Sequence, residues 1–197
     1  MNIRSRLILD ELARHRPQFE LLCRSLNGAE LATLIPGSHW SVKDYIAHLA
    51  TIDALIANNF GAMVGLSFPA PDAAYPNPFD IDEWNEEAVR AQADRSVEQL
   101  LAEAATHRAN MNAAIGAMED GQLDLVIPYG GDRKTLNLPK SQVRFGGLLW
   151  AIAIHDPTHT RDILAALPAR AEERWIQEWL ASVTDALVPA GVKEQRV

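Results

Sequence analysis

The chain carries six histidines, at positions 15, 39, 48, 107, 155 and 159. His155 and His159 are four residues apart, so on a helix their imidazoles lie one turn apart and can converge on a single ion. They occupy places in an apolar stripe, Phe145, Leu148, Leu149, Ile152 and Ile163, where a buried core face is expected. His48 follows Tyr45 by three and precedes Ile52 by four, on the flank of a second such stripe. In a helical bundle, inward side chains from two helices can meet at one depth. Three neutral imidazole nitrogens at roughly 2.0–2.1 Å from zinc would leave a fourth position open for water or substrate. The same spacing also fits two half-buried histidines hydrogen-bonded to carbonyls or carboxylates. Two polar rings side by side in an apolar stripe are costly without partners, which favours the metal.

The segment His155-Asp156-Pro157-Thr158-His159 also resembles the H-E-x-x-H of zinc proteases, with Asp156 in place of the glutamate base. The aspartate is one methylene shorter, and Pro157 sits within the turn, which weighs against that reading. Pro157 also removes an amide donor to residue 153 and can redirect the His155 ring. Asp44, one turn before His48, is a candidate second partner or base, but capping its helix is the simpler role. Asp156 and Asp162 are candidate partners of the imidazoles, and Arg144 and Arg161 candidates for a substrate carboxylate, although solvated surface charge is the commoner role for each. His15 reads as a packed polar residue, and His39 and His107 have no partner at ligand spacing. Cys23 has no adjacent base and reads as a small core residue.

The elements that must position these residues are helical. Ile8, Leu12, Phe19, Leu22 and Leu26 form the first apolar face, with a kink or restart expected at Pro17. Ser41 and Asp44 form a capping box opening a second helix, striped by Tyr45, Leu49, Ile52, Ile56, Phe60 and Met63. Residues 66–79 hold four prolines and read as a loop bordering the site. A long third helix is expected from Asp80 or Asp82 through Met118, and a small hairpin within 121–140 that turns at Gly130-Gly131-Asp132. A fourth helix is expected after Pro139 with Ser141 as its cap. Trp175, Trp179, Val183 and Leu187 mark a last amphipathic piece, read as core packing or a dimer surface. These elements define an all-α protein: a four-helix bundle forming a single domain over 1–197, with a core of about 1–167 and an additional C-terminal helix at about 171–187.

Composition narrows the function classes. The chain has 197 residues, 48% of them hydrophobic and 22% charged, an ordinary globular mix. Its formal net charge of −8, with no local basic patch, argues against nucleic acid as a partner. A single cysteine excludes an internal disulfide and a cysteine-rich metal site. The charges at Arg4, Arg6, Asp10 and Glu11 do not fit a secretory signal, and no uninterrupted apolar run reaches membrane-spanning length. A soluble cytoplasmic protein with no membrane partner is the expectation.

Trp40-Ser41-Val42-Lys43-Asp44-Tyr45-Ile46-Ala47-His48-Leu49 resembles the start of the second helix in the DinB-like superfamily, which includes mycothiol-dependent maleylpyruvate isomerases. Phe79-Asp80-Ile81-Asp82-Glu83-Trp84-Asn85 resembles the opening of the third helix in some members, and the His155/His159 pair matches the second metal-binding motif. The resemblance spans residues 40–163, and its main departure is Pro157. It implies a four-helix bundle holding a divalent metal, often zinc or nickel, on His48, His155 and His159. It also implies thiol S-transfer to a small electrophile, with a low-molecular-weight thiol as cosubstrate. Beside that stand two other readings: a non-catalytic, homodimeric bundle that binds a metal or ligand, and a metal-dependent hydrolase. A catalytic site needs an open coordination position and a pocket lined by 66–79, whereas a structural site would be closed by a fourth protein ligand.

Overall fold

A computed structural model of the chain describes residues 1–69, 80–129 and 141–183. In chain order the elements are α1 (Ile3–Ser25), α2 (Gly28–Leu31), α3 (Val42–Met63), α4 (Ile81–Ala91), α5 (Val97–Ala117) and α6 (Asp120–Leu123). The strands β1 (Val126–Tyr129) and β2 (Ser141–Arg144) follow, then α7 (Phe145–Ala153), α8 (His155–Ala166), α9 (Pro168–Ala171) and α10 (Arg174–Ser182). The fold is an all-α bundle whose four long rods are α1, α3, α5 and the α7–α8 pair. No helix among the described residues is long and apolar enough to cross a membrane.

Helix α1 runs through Pro17 without interruption, so the helix does not restart there. Pro17 and Ala13 are both exposed, so water can satisfy the Ala13 carbonyl that proline leaves without a donor. Helix α3 opens on the expected box: the Ser41 hydroxyl accepts from the Asp44 amide, and the Asp44 carboxylate accepts from the Ser41 amide at 2.8 Å. The single long third helix is instead two. A second capping box, Ser96 with Gln99, starts α5 afresh, and Ala91, placed in the continuous stripe, is exposed.

Ser141 is not a helix cap but the first residue of β2. It pairs antiparallel with β1 in the register Val126↔Arg144 to Tyr129↔Ser141. The hairpin is therefore real but its second strand lies later than expected, and the Gly130-Gly131-Asp132 turn falls outside the described residues. So do residues 70–79 of the proline-rich segment and Leu187 of the last helix, which is seen here as the shorter α10.

Two apolar clusters fill the bundle. One gathers Ile8 and Leu12 with Ile56, Trp84, Met111, Ile115, Phe145 and Leu149. The other joins Phe19 and Leu22 to Ile46, Leu49, Leu100, Leu101, Ile163 and Trp179. Trp179 thus packs inside and donates its indole N–H to His15 Nδ1 at 3.1 Å, while His15 Nε2 bonds Glu11 at 2.9 Å. Each rod also contributes one buried charged residue to a polar layer: Arg16, Asp53, Arg108 and Asp156.

Candidate metal centre

The polar layer sets two buried guanidinium groups against two buried carboxylates. Arg16 Nη2 and Arg108 Nε donate to Asp53 Oδ2 at 3.2 and 2.5 Å. Arg16 Nε lies 3.1 Å from Asp156 Oδ2, and Arg108 Nη2 lies 3.3 Å from Asp156 Oδ1. All four residues are at least nine-tenths buried. In such a place each charge depends on its opposite for solvation. Asp156 sits between His155 and His159, so the network anchors the first turn of α8, the turn that carries both rings.

That turn begins at a break. Ile154, at φ −101° and ψ 13°, ends α7 and precedes α8. Pro157 becomes the third residue of the new helix, where an amide needs no partner inside the helix. The Thr158 hydroxyl and amide both donate to the Ile154 carbonyl, at 2.8 and 3.0 Å, and close the turn. The proline therefore sets where α8 starts, while His155 and His159 remain one turn apart on it.

The three sequence candidates meet. His48, His155 and His159 each offer a ring nitrogen, and these atoms lie within 4.8 Å of one another. Ring centroids are 5.3 Å apart for His48–His155, 5.2 Å for His48–His159 and 4.4 Å for His155–His159. His159 Nε2 and His155 Nε2 are 2.9 Å apart. Two nitrogens bound tetrahedrally to one zinc would be separated by about 3.3 Å, so a small rotation of the rings would fit the pair to an ion.

Protonation also suits the group. Asp162 Oδ2 is 3.0 Å from His159 Nδ1, and a proton held there leaves the lone pair of Nε2 directed at the cluster. Burial drives the His48 pKa well below its usual value of 6.5, reinforced by His159, while a polar interaction with Asn85 opposes the shift. Burial, then the neighbouring His159 and His48 rings and more distant Arg108 and Arg16, does the same for half-buried His155. Both are therefore held neutral, the form that can ligate a metal. His48 is only 2% exposed, and neither of its ring nitrogens has a hydrogen-bond partner among the described residues. Such an orphaned imidazole fits a site completed by an ion.

The remaining candidates lie elsewhere. The Asp44 carboxylate is engaged in the cap, with the Ser41 hydroxyl 2.7 Å from its Oδ2. Arg161 donates to the Leu180 carbonyl, and Arg144 pairs with Asp124 on the surface. His39 bonds Glu86, and His107 Nδ1 donates to the Ala50 carbonyl at 3.0 Å. Cys23 is buried, and burial pushes its thiol far above the ordinary range, so it is inert as a nucleophile. Asp156, expected at a solvated helix end, is instead buried in the charge network.

Sequence reasoning passed over the residues around the imidazoles. Trp40 lies 5.5 Å from His48 and Tyr45 lies edge-on to His159 at 5.3 Å. Asn85 on α4 is 4% exposed and faces His48. Trp40 is set by a tight corner in which Gly37 adopts φ +78°, the Ile35 amide bonds the Trp40 carbonyl, and Leu34 bridges to Ser41.

Residues 12–140 match the model of the mycothiol maleylpyruvate isomerase N-terminal domain, about two thirds of the chain. The chain belongs to this family. Through it the protein falls within the DinB-like superfamily, as the motifs around His48 indicated. The matched segment includes His48 together with Trp40, Tyr45 and Asn85, while His155 and His159 lie beyond it. No curated protein and no solved structure matches the chain significantly.

Proposed function

We propose that His48, His155 and His159 hold one divalent metal, zinc or nickel, and that the protein transfers a low-molecular-weight thiol to a small electrophile. The observation that carries the metal reading is His48: an interior imidazole beside Asn85, with neither nitrogen in a well-formed hydrogen bond among the described residues, directed at two more imidazoles. Membership of a family named for a mycothiol-dependent isomerase supports the thiol chemistry. Three protein nitrogens with no acidic side chain among them fit an ion that keeps a position for an exogenous ligand. When bound, such an ion supplies Lewis acidity that favours the thiolate over the thiol at neutral pH.

The chain's own residues prepare that chemistry. Burial keeps His48 and His155 deprotonated, and Asp162 fixes the His159 tautomer by accepting a hydrogen bond from its Nδ1–H. The Arg16–Asp53–Arg108–Asp156 layer holds the turn from which two of the rings project. Trp40 and Tyr45 cover two of the imidazoles and exclude water from their faces.

Elemental analysis of freshly purified protein should find one divalent ion per chain, and His48→Ala should lose it while remaining folded. Unchanged metal content in that variant would remove His48 from the site. A panel of thiols and electrophiles, assayed with the metal-loaded protein, separates transfer from binding without turnover. Consumption of an electrophile with no thiol added would indicate hydrolysis instead.

A further inference from the structure

Helix α4 buries one face, made by Trp84, Asn85, Ala88 and Val89. Its start is fixed by Asp80, whose carboxylate accepts from the Asp82 and Glu83 amides at 2.9 and 3.1 Å. Three of the four inward residues are apolar and pack into the core, Trp84 fully enclosed. The fourth, Asn85, is just as buried and brings an amide to the side of His48. An amide in a core position is costly unless a partner uses it. Asn85 Oδ1 makes no well-formed hydrogen bond among the described residues, and neither does either ring nitrogen of His48. Two under-used polar groups therefore lie against each other at the edge of the metal centre.

A neutral imidazole has one N–H and one lone pair. To hold an ion, His48 must turn the lone pair toward His155 and His159, which leaves its N–H pointing away and in need of an acceptor. The sense of the Asn85 interaction matches that need. Against the effect of burial, it favours the ring that carries the extra proton, as an amide oxygen does and an amide NH₂ does not. Trp40, on another side of the ring, has a donor but no acceptor. The Thr51 hydroxyl, on the next turn of α3, is directed back to the Ala47 and His48 carbonyls. His159 is already served in the same way, with Asp162 Oδ2 at its Nδ1 and its Nε2 toward the cluster. Asn85 repeats that arrangement at His48 without adding a charge.

We propose that Asn85 is a positioning residue of the metal centre: its Oδ1 accepts the ring N–H of His48 and so fixes the tautomer whose lone pair faces His155 and His159. The proposal rests on the metal-centre reading for what that lone pair meets. The tautomer itself is set by the amide and does not need the ion. The bond closes by a turn of the ring or the amide about its terminal side-chain torsion, which is soft.

Long-range nitrogen–proton NMR spectra of protein labelled at its histidine ring nitrogens report the tautomer directly, with His48→Leu identifying the His48 signals. In chelator-treated unmodified protein His48 should show a single neutral tautomer, and Asn85→Leu should show both. Zinc, titrated against a competing chelator, should bind Asn85→Leu about 10–100-fold more weakly than the unmodified protein. Asn85→Asp keeps an acceptor oxygen in the same place and should recover most of that loss. A packing role alone predicts the opposite order, since leucine suits an apolar face better than a carboxylate does. A mixture of tautomers in the unmodified protein overturns the proposal and needs no variant to fold. So does zinc affinity that is undiminished in Asn85→Leu, or lost equally in Asn85→Asp. Failure of the metal-centre reading has a different signature: the unmodified protein then takes up no zinc, while the tautomer measured in chelator still decides whether Asn85 orients His48.

Discussion

Replacing His48 by leucine should change the sign of its effect with the metal. In the metal-free protein the ring is 2% exposed and neither nitrogen has a well-formed hydrogen bond among the described residues. Each buried unsatisfied group of that kind costs about 1–3 kcal/mol. Leucine has a similar volume and no polar atom, and imperfect repacking returns up to about 1.5 kcal/mol. The balance is a gain of about 1 kcal/mol for His48→Leu in chelator, or about 2–4 °C in Tm for a chain of this size. With zinc at about one hundred times its Kd, the unmodified protein gains about 2.7 kcal/mol and the variant gains nothing. Thermal unfolding followed by circular dichroism should therefore show the variant more stable in chelator and less stable in zinc. A variant equally destabilised under both conditions, with an undiminished zinc response, would refute the reasoning and leave His48 as ordinary packing.

Two further outcomes follow from the same centre. His48 and His155 have folded-state pKa values below the ordinary 6.5, so the unfolded chain binds protons that the folded one refuses as pH falls through that value. Metal-free stability should accordingly be level near pH 7–8 and decline below about 6.5, by up to about 1.4 kcal/mol per pH unit for each ring, with half-buried His155 giving the smaller share. Urea unfolding across pH 5–8 measures this, and a profile that rises on acidification would contradict it. Asp53→Ala leaves Arg16 and Arg108 sharing Asp156 alone in a buried layer, and should cost about 3–5 kcal/mol. Denaturant midpoints decide it, with the exposed Glu87–Arg90 pair as a control expected to contribute under about 1 kcal/mol.

The helical faces were legible in the sequence because burial imposes the 3.6 period on each rod. Phe19, Leu49, Ile115 and Ile163 all lie in the core where the stripes put them. The charge network was legible too, but as gaps. Arg16 falls four residues after Leu12 and three before Phe19, and Arg108 four after Ala104 and three before Met111. Asp53 is the only charged residue in α3 beyond its first turn. A charge at a core position of each rod is the trace of a shared polar layer, since none could be buried without an opposite charge from another helix. Pairing between particular rods is not encoded in any one stripe, and this is why the layer emerges only in three dimensions. The break before α5 was readable from Ser96 and Gln99, yet the apolar period carries across it from Ala88 to Leu101 and hides it. The start of α7 was hidden for another reason: Ser141 is committed to β1, a partner twelve residues and more away along the chain.

The charge layer and the imidazole cluster explain each other's position. A rod with charged and polar side chains on its inner face needs partners at that depth from the others, and Arg16, Asp53, Arg108 and Asp156 provide them in balance. Once α8 is pinned through Asp156, the residues on either side of it, His155 and His159, have little freedom to turn outward. Proline at 157 strengthens the arrangement by placing the helix start immediately before His155, so both rings belong to one short, anchored turn. His48 arrives from α3, whose own anchor is Asp53, five residues on. The two anchors share the same pair of arginines, which couples the approach of α3 to that of α8. Shifts that separate His48 from the other two rings must therefore also pull apart buried ion pairs. On this account the network serves the site by fixing the distance between the helices that bear its three nitrogens.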